Sequence, residues 1–118
     1  MTAQCVATIF HVKDVEEAIR YYTDVLGFTV DFRYNDLAGM EYNTIMIYLS
    51  GPKQGLKKAV GEGSVYIFCD EVDDYYQSVS GKGAKTEITL DDRPYGMRDF
   101  AVSDLDGNSL TFGRNFSK

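Results

Sequence analysis

Apolar and polar positions alternate through most of this chain, and twice the alternation gives way to a helical spacing. Residues 95–113 read YGMRDFAVSDLDGNSLTFG: Phe100 and Val102 alternate with polar or small neighbours, Asp104-Leu-Asp-Gly-Asn interrupts, and Leu110 and Phe112 resume. Alternation on both sides of an Asp-Gly pair predicts a β-hairpin, because glycine takes the positive φ such turns need. Residues 5–12, CVATIFHV, predict a first strand, with Val6, Thr8, Phe10 and Val12 on one face and Cys5, Ala7, Ile9 and His11 on the other. Asp14 starts a helix: it is a good N-cap, and Glu17 stands where a capping-box acid belongs. Val15, Ala18, Ile19, Tyr22, Val25 and Leu26 form its apolar stripe, and Gly27 supplies a left-handed end. Strands two to four follow in FTVDFRYND and MEYNTIMIYLS, with a turn near Leu37-Ala-Gly39. In the last of them Ile45, Ile47 and Leu49 oppose Met46, Tyr48 and Ser50. The Gly-rich stretch 51–63 reads as a linker with three solvated lysines. A fifth strand, SVYIFCD, sets Val65, Ile67 and Cys69 against Ser64, Tyr66, Phe68 and Asp70. A second helix, started by Asp70, carries the stripe Val72, Tyr75, Tyr76 and Val79 and ends at Gly81 and Gly83. Lys85 to Leu90 give a sixth strand, and the hairpin gives the seventh and eighth.

The two halves repeat. Asp14 and Asp70 stand 56 positions apart, as do Gly27 and Gly83, and Ile9 and Val65. This predicts an α+β chain of two tandem βαβββ modules, at 5–50 and 64–113, joined by the 51–63 linker in one domain spanning 1–118.

Composition narrows the function. At 118 residues and 44% hydrophobic the chain can bury a real core. Its net charge of −6 argues against nucleic acid and anionic membrane as partners and permits a cationic ligand. No apolar run approaches the roughly 18–20 residues of a membrane span, and MTAQCVATIF lacks the pattern of a signal peptide. Cys5 and Cys69 are expected as buried, free thiols, and the protein as cytoplasmic.

The residues also carry a resemblance. Asp14-Val15, Ala18, Tyr21-Tyr22 and Leu26-Gly27-Phe28 follow the first strand; Pro94-Tyr95-Gly96, Arg98, Phe100 and Asp104 to Asn108 approach the end. In that order, on a duplicated βαβββ plan, the chain resembles the vicinal oxygen chelate superfamily of glyoxalase I, extradiol dioxygenases, fosfomycin-resistance enzymes and bleomycin-resistance proteins. The resemblance implies that each half curls into a curved mixed sheet, part of a cup, with its helix on the outer face. It also implies that metal-dependent members hold their ion on the inner face of the first, fourth, fifth and eighth strands. Here those positions fall at Ala7, at Met46 or Tyr48, at Ser64 and at Thr111. None is the imidazole or carboxylate a divalent ion needs, so no metal and no other cofactor is expected. His11 lies past the ligand position, and Asp104, Asp106 and Asn108 lack the glycine and glutamate spacing of a calcium loop.

What the inner face carries is rings, in a chain with nine Tyr, seven Phe and no Trp. The layout is most similar to the bleomycin-resistance branch. That likeness implies antibiotic resistance through a metal-free homodimer that sequesters a cationic glycopeptide in clefts at the subunit interface. On that analogy the residues expected to line a cleft are Phe32, Leu37, Met46, Tyr48, Ser50, Tyr66, Phe68, Tyr95, Thr111 and Gly113, with Tyr34 nearby. No catalytic residue is assigned. Two alternatives stay open: a glyoxalase- or dioxygenase-like enzyme with a non-standard or absent metal, using an acid such as Glu41 or Asp99 as general base, and a dimeric scaffold with no small ligand, its rings packed together.

Overall fold

The computed structural model describes residues 1–55 and 59–116. The chain runs β1 (Ala7–His11), α1 (Val15–Asp24), β2 (Thr29–Tyr34), β3 (Leu37–Tyr42), β4 (Ile45–Ser50), a 3-10 turn at Pro52–Gln54, β5 (Ser64–Phe68), α2 (Val72–Gly81), β6 (Lys85–Asp92), β7 (Met97–Ser103) and β8 (Ser109–Asn115). The strands make two four-stranded mixed sheets, β1-β4-β3-β2 and β5-β8-β7-β6. In each, the first strand pairs with the fourth in parallel and the remaining pairs are antiparallel. These are the two tandem βαβββ modules, each with its helix on the outer face of a curved sheet.

Side-chain alternation decides what each sheet buries. Phe10, Ile47, Leu49, Phe100, Val102 and Leu110 point to the helices and are fully buried. One core takes in the helix-facing residues of both modules, including Val15, Ala18, Tyr22 and Leu26 of the first and Val72 and Val79 of the second. Each fully buried Val, Leu, Ile or Phe among them contributes about 1.5–3 kcal/mol by leaving water. Arg98, on the same face, clamps the sheet to α2 through two bonds of 2.9 Å to the Asp73 carboxylate. The opposite, inner faces stay open: Ile9 is 50% exposed, Phe68 75% and Tyr95 65%.

Helix α1 starts as its sequence predicts, with the Asp14 carboxylate accepting from the Glu17 N–H at 3.2 Å. The second helix does not start at Asp70. Its N-cap is Glu71, in the left-handed region at φ 37° and without a side-chain cap. The repeat is therefore 57 positions in the first strand and the helix of each module, relating Ala7 to Ser64 and Val15 to Val72. Ile9 corresponds to Tyr66, not to Val65, and both lie on inner faces. The glycines past the two helices, Gly27 and Gly83, and the strands that follow them, β2 from Thr29 and β6 from Lys85, keep the spacing of 56.

Three further expectations are corrected. The β2–β3 turn is at Asn35-Asp36; Leu37 to Gly39 belong to β3. Asn35 supplies the positive φ of 51°, and the Asp36 carboxylate accepts from the Lys53 N–H at 2.8 Å. Strand β1 begins at Ala7, so Val6 and Cys5 precede it; Val6 is 78% exposed and Cys5 is an exposed free thiol rather than a buried one. Cys69 is free and half-buried. Of the linker lysines Lys53 is exposed, while Lys57 and Lys58 lie outside the described residues.

The modules are joined through the turn between β7 and β8. Asp104, 1% exposed, accepts at Oδ1 from the N–H groups of Asp106, Gly107 and Asn108. At Oδ2 it accepts from the Tyr22 hydroxyl at 2.9 Å and from Asn108 Nδ2 at 3.0 Å. Asn108 also donates to the His11 carbonyl, and Asp106 accepts from the Lys13 N–H. The turn is thus tied to the other module as well as to its own hairpin.

Candidate functional site

The inner face of the second sheet is built around a buried carboxylate. Asp99 sits on β7 opposite Gly113 of β8, which in turn pairs with Phe68 of β5. Asp99 is 3% exposed. Its Oδ2 accepts from the hydroxyls of Tyr66 at 2.8 Å and Tyr95 at 2.7 Å, and its Oδ1 accepts from Arg93 Nε at 2.7 Å. Tyr66 reaches Asp99 only because position 113 is glycine: a Cβ there would lie 2.1 Å from the Tyr66 hydroxyl. The result is a fixed array of rings. Tyr66 leans on Phe68 with centroids 5.1 Å apart, and Tyr95, tethered to Asp99 by its hydroxyl, keeps its ring exposed.

The electrostatics follow from these partners. Burial pushes the Asp99 carboxyl up, but the bonds from Arg93, Tyr95 and Tyr66 outweigh it and hold the group below the usual carboxylate range. Burial and the Asp99 bond push the Tyr66 phenol well above its ordinary value. The Asp99 bond, with some burial, also raises Tyr95. At neutral pH the carboxylate is charged and accepts, while both phenols keep their protons and donate to it. A carboxylate so occupied is a poor proton acceptor for a substrate. Its role here is to hold two aromatic side chains in place.

The first sheet's inner face is arranged in parallel but is less polar. Leu37 pairs with Ser50, Gly39 with Tyr48 and Glu41 with Met46. Gly39 leaves room for the Phe32 ring, which meets Tyr48 edge-on at 5.1 Å. Register equates Leu37 with Asp99 and Tyr48 with Thr111, so the repeat sets Tyr48, rather than Met46, opposite Thr111. The Ser50 hydroxyl, 2% exposed, has no hydrogen-bond partner among the described residues.

The ten residues singled out from sequence therefore fall into two groups. Phe32, Leu37, Met46, Tyr48 and Ser50 share the inner face of the first sheet, and Tyr66, Phe68, Tyr95, Thr111 and Gly113 that of the second. Tyr34, at the end of β2, is 67% exposed. Glu41 and Asp99 lie on different sheets and form no acid pair. Arg93 was not singled out; an arginine beside Pro-Tyr-Gly was its only mark in the sequence. The donor set does not suit a metal. Ala7, Tyr48, Ser64 and Thr111 offer no imidazole or carboxylate, and no group of three or more His, Cys, Asp or Glu among the described residues is placed to hold an ion. No described helix is long and apolar enough to cross a membrane.

Comparison with known proteins agrees with this geometry. The profile of the Glyoxalase/Bleomycin resistance protein/Dioxygenase superfamily matches residues 5–112, and the chain belongs to that family. It is 27% identical over 117 residues to a bleomycin resistance protein of Geobacillus stearothermophilus, covering 86% of this chain and 89% of that one. Among solved structures it is similar to the bleomycin-binding protein of Streptomyces verticillus complexed with copper(II)-bleomycin. The TM-score is 0.79 at 22% identity, over 95% of this chain and 96% of that one. It is equally similar in fold to a lactoylglutathione lyase of Agrobacterium tumefaciens, with a TM-score of 0.81 at 21% identity, over 98% of this chain and 96% of that one.

Proposed function

We propose that this protein binds a small organic molecule, cationic or aromatic, on the inner faces of its sheets, without a metal, and acts by sequestering it as bleomycin-resistance proteins do. The observation that carries the reading is the pairing of exposed, immobilised rings with uncharged groups at the family's ligand positions. Phe68 and Tyr95 stay exposed while Asp99 holds Tyr95 and Tyr66 in place. Tyr66 packs against Phe68, yet Phe68 keeps 75% exposure in the single chain, apolar surface that a guest held between two copies would cover. A second copy of the chain supplies the opposing wall. Each sheet has unpaired edge strands, β1 and β2 in one and β5 and β6 in the other, and an inner face that its own helix does not cover. The net charge of −6 draws cations toward the molecule.

Expression in a sensitive host tests this. The protein raises the inhibitory concentration of a bleomycin-type drug, and Tyr66→Ala abolishes the protection. Truncating a central ring of this kind costs about 2 kcal/mol of binding, roughly thirtyfold in affinity. Unchanged protection by Tyr66→Ala, or none from the parent protein at equal expression, contradicts the reading. Sedimentation of the purified protein at micromolar concentration shows a dimer; a monomer there contradicts the two-copy site.

A further inference from the structure

The internal repeat relates the two ends of the junction between modules, and the two ends are filled differently. At one end the Tyr21 hydroxyl donates to the Ser103 carbonyl at 2.9 Å and accepts from the Lys85 N–H at 3.0 Å. Beside it Tyr22 donates to Asp104, and the turn Asp104 to Asn108 closes the end. The offset of 57 that superposes the helices takes Tyr21 to Ser78 and Tyr22 to Val79. The β3–β4 connection that corresponds to the Asp104–Asn108 turn is only Asn43-Thr44. A shorter turn and a serine in place of a tyrosine leave a cavity of about 610 Å³ at this second end. That is the size of a small-molecule site, for which about 300–1,000 Å³ is usual.

Its walls are specific in chemistry. Phe28, Tyr42, Tyr75 and Phe112 line it as a continuous series of edge-on rings, with successive centroids 5.4, 5.7 and 4.8 Å apart. Tyr75 is held in orientation by donating to the Leu26 carbonyl at 2.5 Å. At the mouth stand three exposed carboxylates, Asp70, Glu71 and Asp74, and no Lys, Arg or His is among the lining residues. Arg114, whose charge reaches Cys69, is outside the lining.

We propose that this junction cavity is a second ligand site, for an organic cation with an aromatic or apolar body, such as a benzylic quaternary ammonium. Ring faces attract a cation, and more so where water is partly excluded. The carboxylates add attraction for that charge and repel an anion, while the rings provide apolar surface for its body. The cavity lies at the junction beside the helices; Phe68 of the inner face also borders it, but the site does not depend on the inner faces binding anything.

The test is an amide NMR titration with benzyltrimethylammonium and with its uncharged isostere neopentylbenzene. Saturable shifts are expected at Asn43, Asp74 and Ser78, with the isostere weaker by about tenfold or more. Ser78→Tyr restores at this end the ring that Tyr21 provides at the other, and it weakens the cation at least about tenfold while the fold is kept. Asp70→Asn with Asp74→Asn alters only exposed side chains; it weakens the cation and leaves the isostere unchanged. Tyr95→Ala, on the inner face, leaves the titration as it was. No saturable shift up to about 10 mM, equal binding of cation and isostere, full affinity in both variants, or loss in Tyr95→Ala overturns the proposal.

Discussion

Asp104→Ala lowers the stability of this protein by about 3–5 kcal/mol, the largest effect expected from any single polar substitution described above. The carboxylate accepts five hydrogen bonds: three from the backbone of its own turn, one from the Tyr22 hydroxyl and one from Asn108. Removing it strands those donors in a site where Asp104 and Tyr22 are 1% and 0% exposed. Stranded buried donors cost more than the lost bonds themselves, because each has given up water without a replacement. The damage also crosses modules, since Tyr22 belongs to α1 and Asn108 ties the turn to the His11 carbonyl. Urea denaturation of the variant and parent measures the difference directly. Tyr22→Phe removes one donor but leaves the turn's own bonds, and a smaller loss of about 1–2 kcal/mol is expected. A loss below about 1 kcal/mol in Asp104→Ala would mean that the turn assembles without its carboxylate.

Asp99→Asn produces the second large effect, and it appears both in binding and in the pH dependence of stability. Asparagine keeps the shape but has one acceptor oxygen where the carboxylate has two, and its amide turns donors toward donors. Tyr66, Tyr95 and Arg93 cannot all be satisfied. The two rings lose their fixed orientation, and an inner-face guest is expected to bind roughly tenfold or more weakly. At neutral pH the variant loses about 2 kcal/mol of stability. The Asp99 carboxyl titrates lower in the folded protein than in the unfolded chain. Its contribution is therefore complete above the unfolded value, near pH 4, and is lost as pH falls through the lower folded value. Parent and variant should differ fully at pH 7 and converge only in acid below about pH 4. Urea unfolding across pH 2–7 checks this. A constant difference down to the lowest pH would remove the charge from the account.

The sequence made the architecture legible because its signals are local. Phe10, Ile47, Leu49, Phe100, Val102 and Leu110 alternate with polar neighbours, and strand geometry converts that alternation into a buried face. Asp14 and Glu17 mark a helix start whose chemistry completes within four residues. Local signals failed where a different residue did the same work. Asp70 looked like a cap, but Glu71 occupies that position in a left-handed conformation, which a residue-type preference does not reveal. Asn35 took the β2–β3 turn from the expected Leu37-Ala-Gly39 because it tolerates positive φ, while Gly39 serves instead to admit the Phe32 ring.

The site was partly legible for the same reason. Once the strand faces were known, so were the inner-face rings and the uncharged residues among them. Asp99 appeared in the sequence only as a candidate base, because the hydrogen bonds that define its role come from positions 66, 93 and 95. Their meeting depends on Gly113 leaving space, a fact of packing that spacing along the chain does not encode. The junction cavity was invisible altogether. It arises from a comparison between Tyr21 and Ser78, and that comparison needs the 57-position register shared by the two helices and the strands before them.

The most direct measurement is a tyrosine-fluorescence titration of EDTA-dialysed protein with metal-free bleomycin, repeated with protein pre-incubated with zinc or nickel and then freed of unbound metal. The account predicts saturable quenching in the chelated protein, unchanged by either metal and weakened in Tyr66→Ala. Quenching that disappears on chelation and returns with the metal would contradict it.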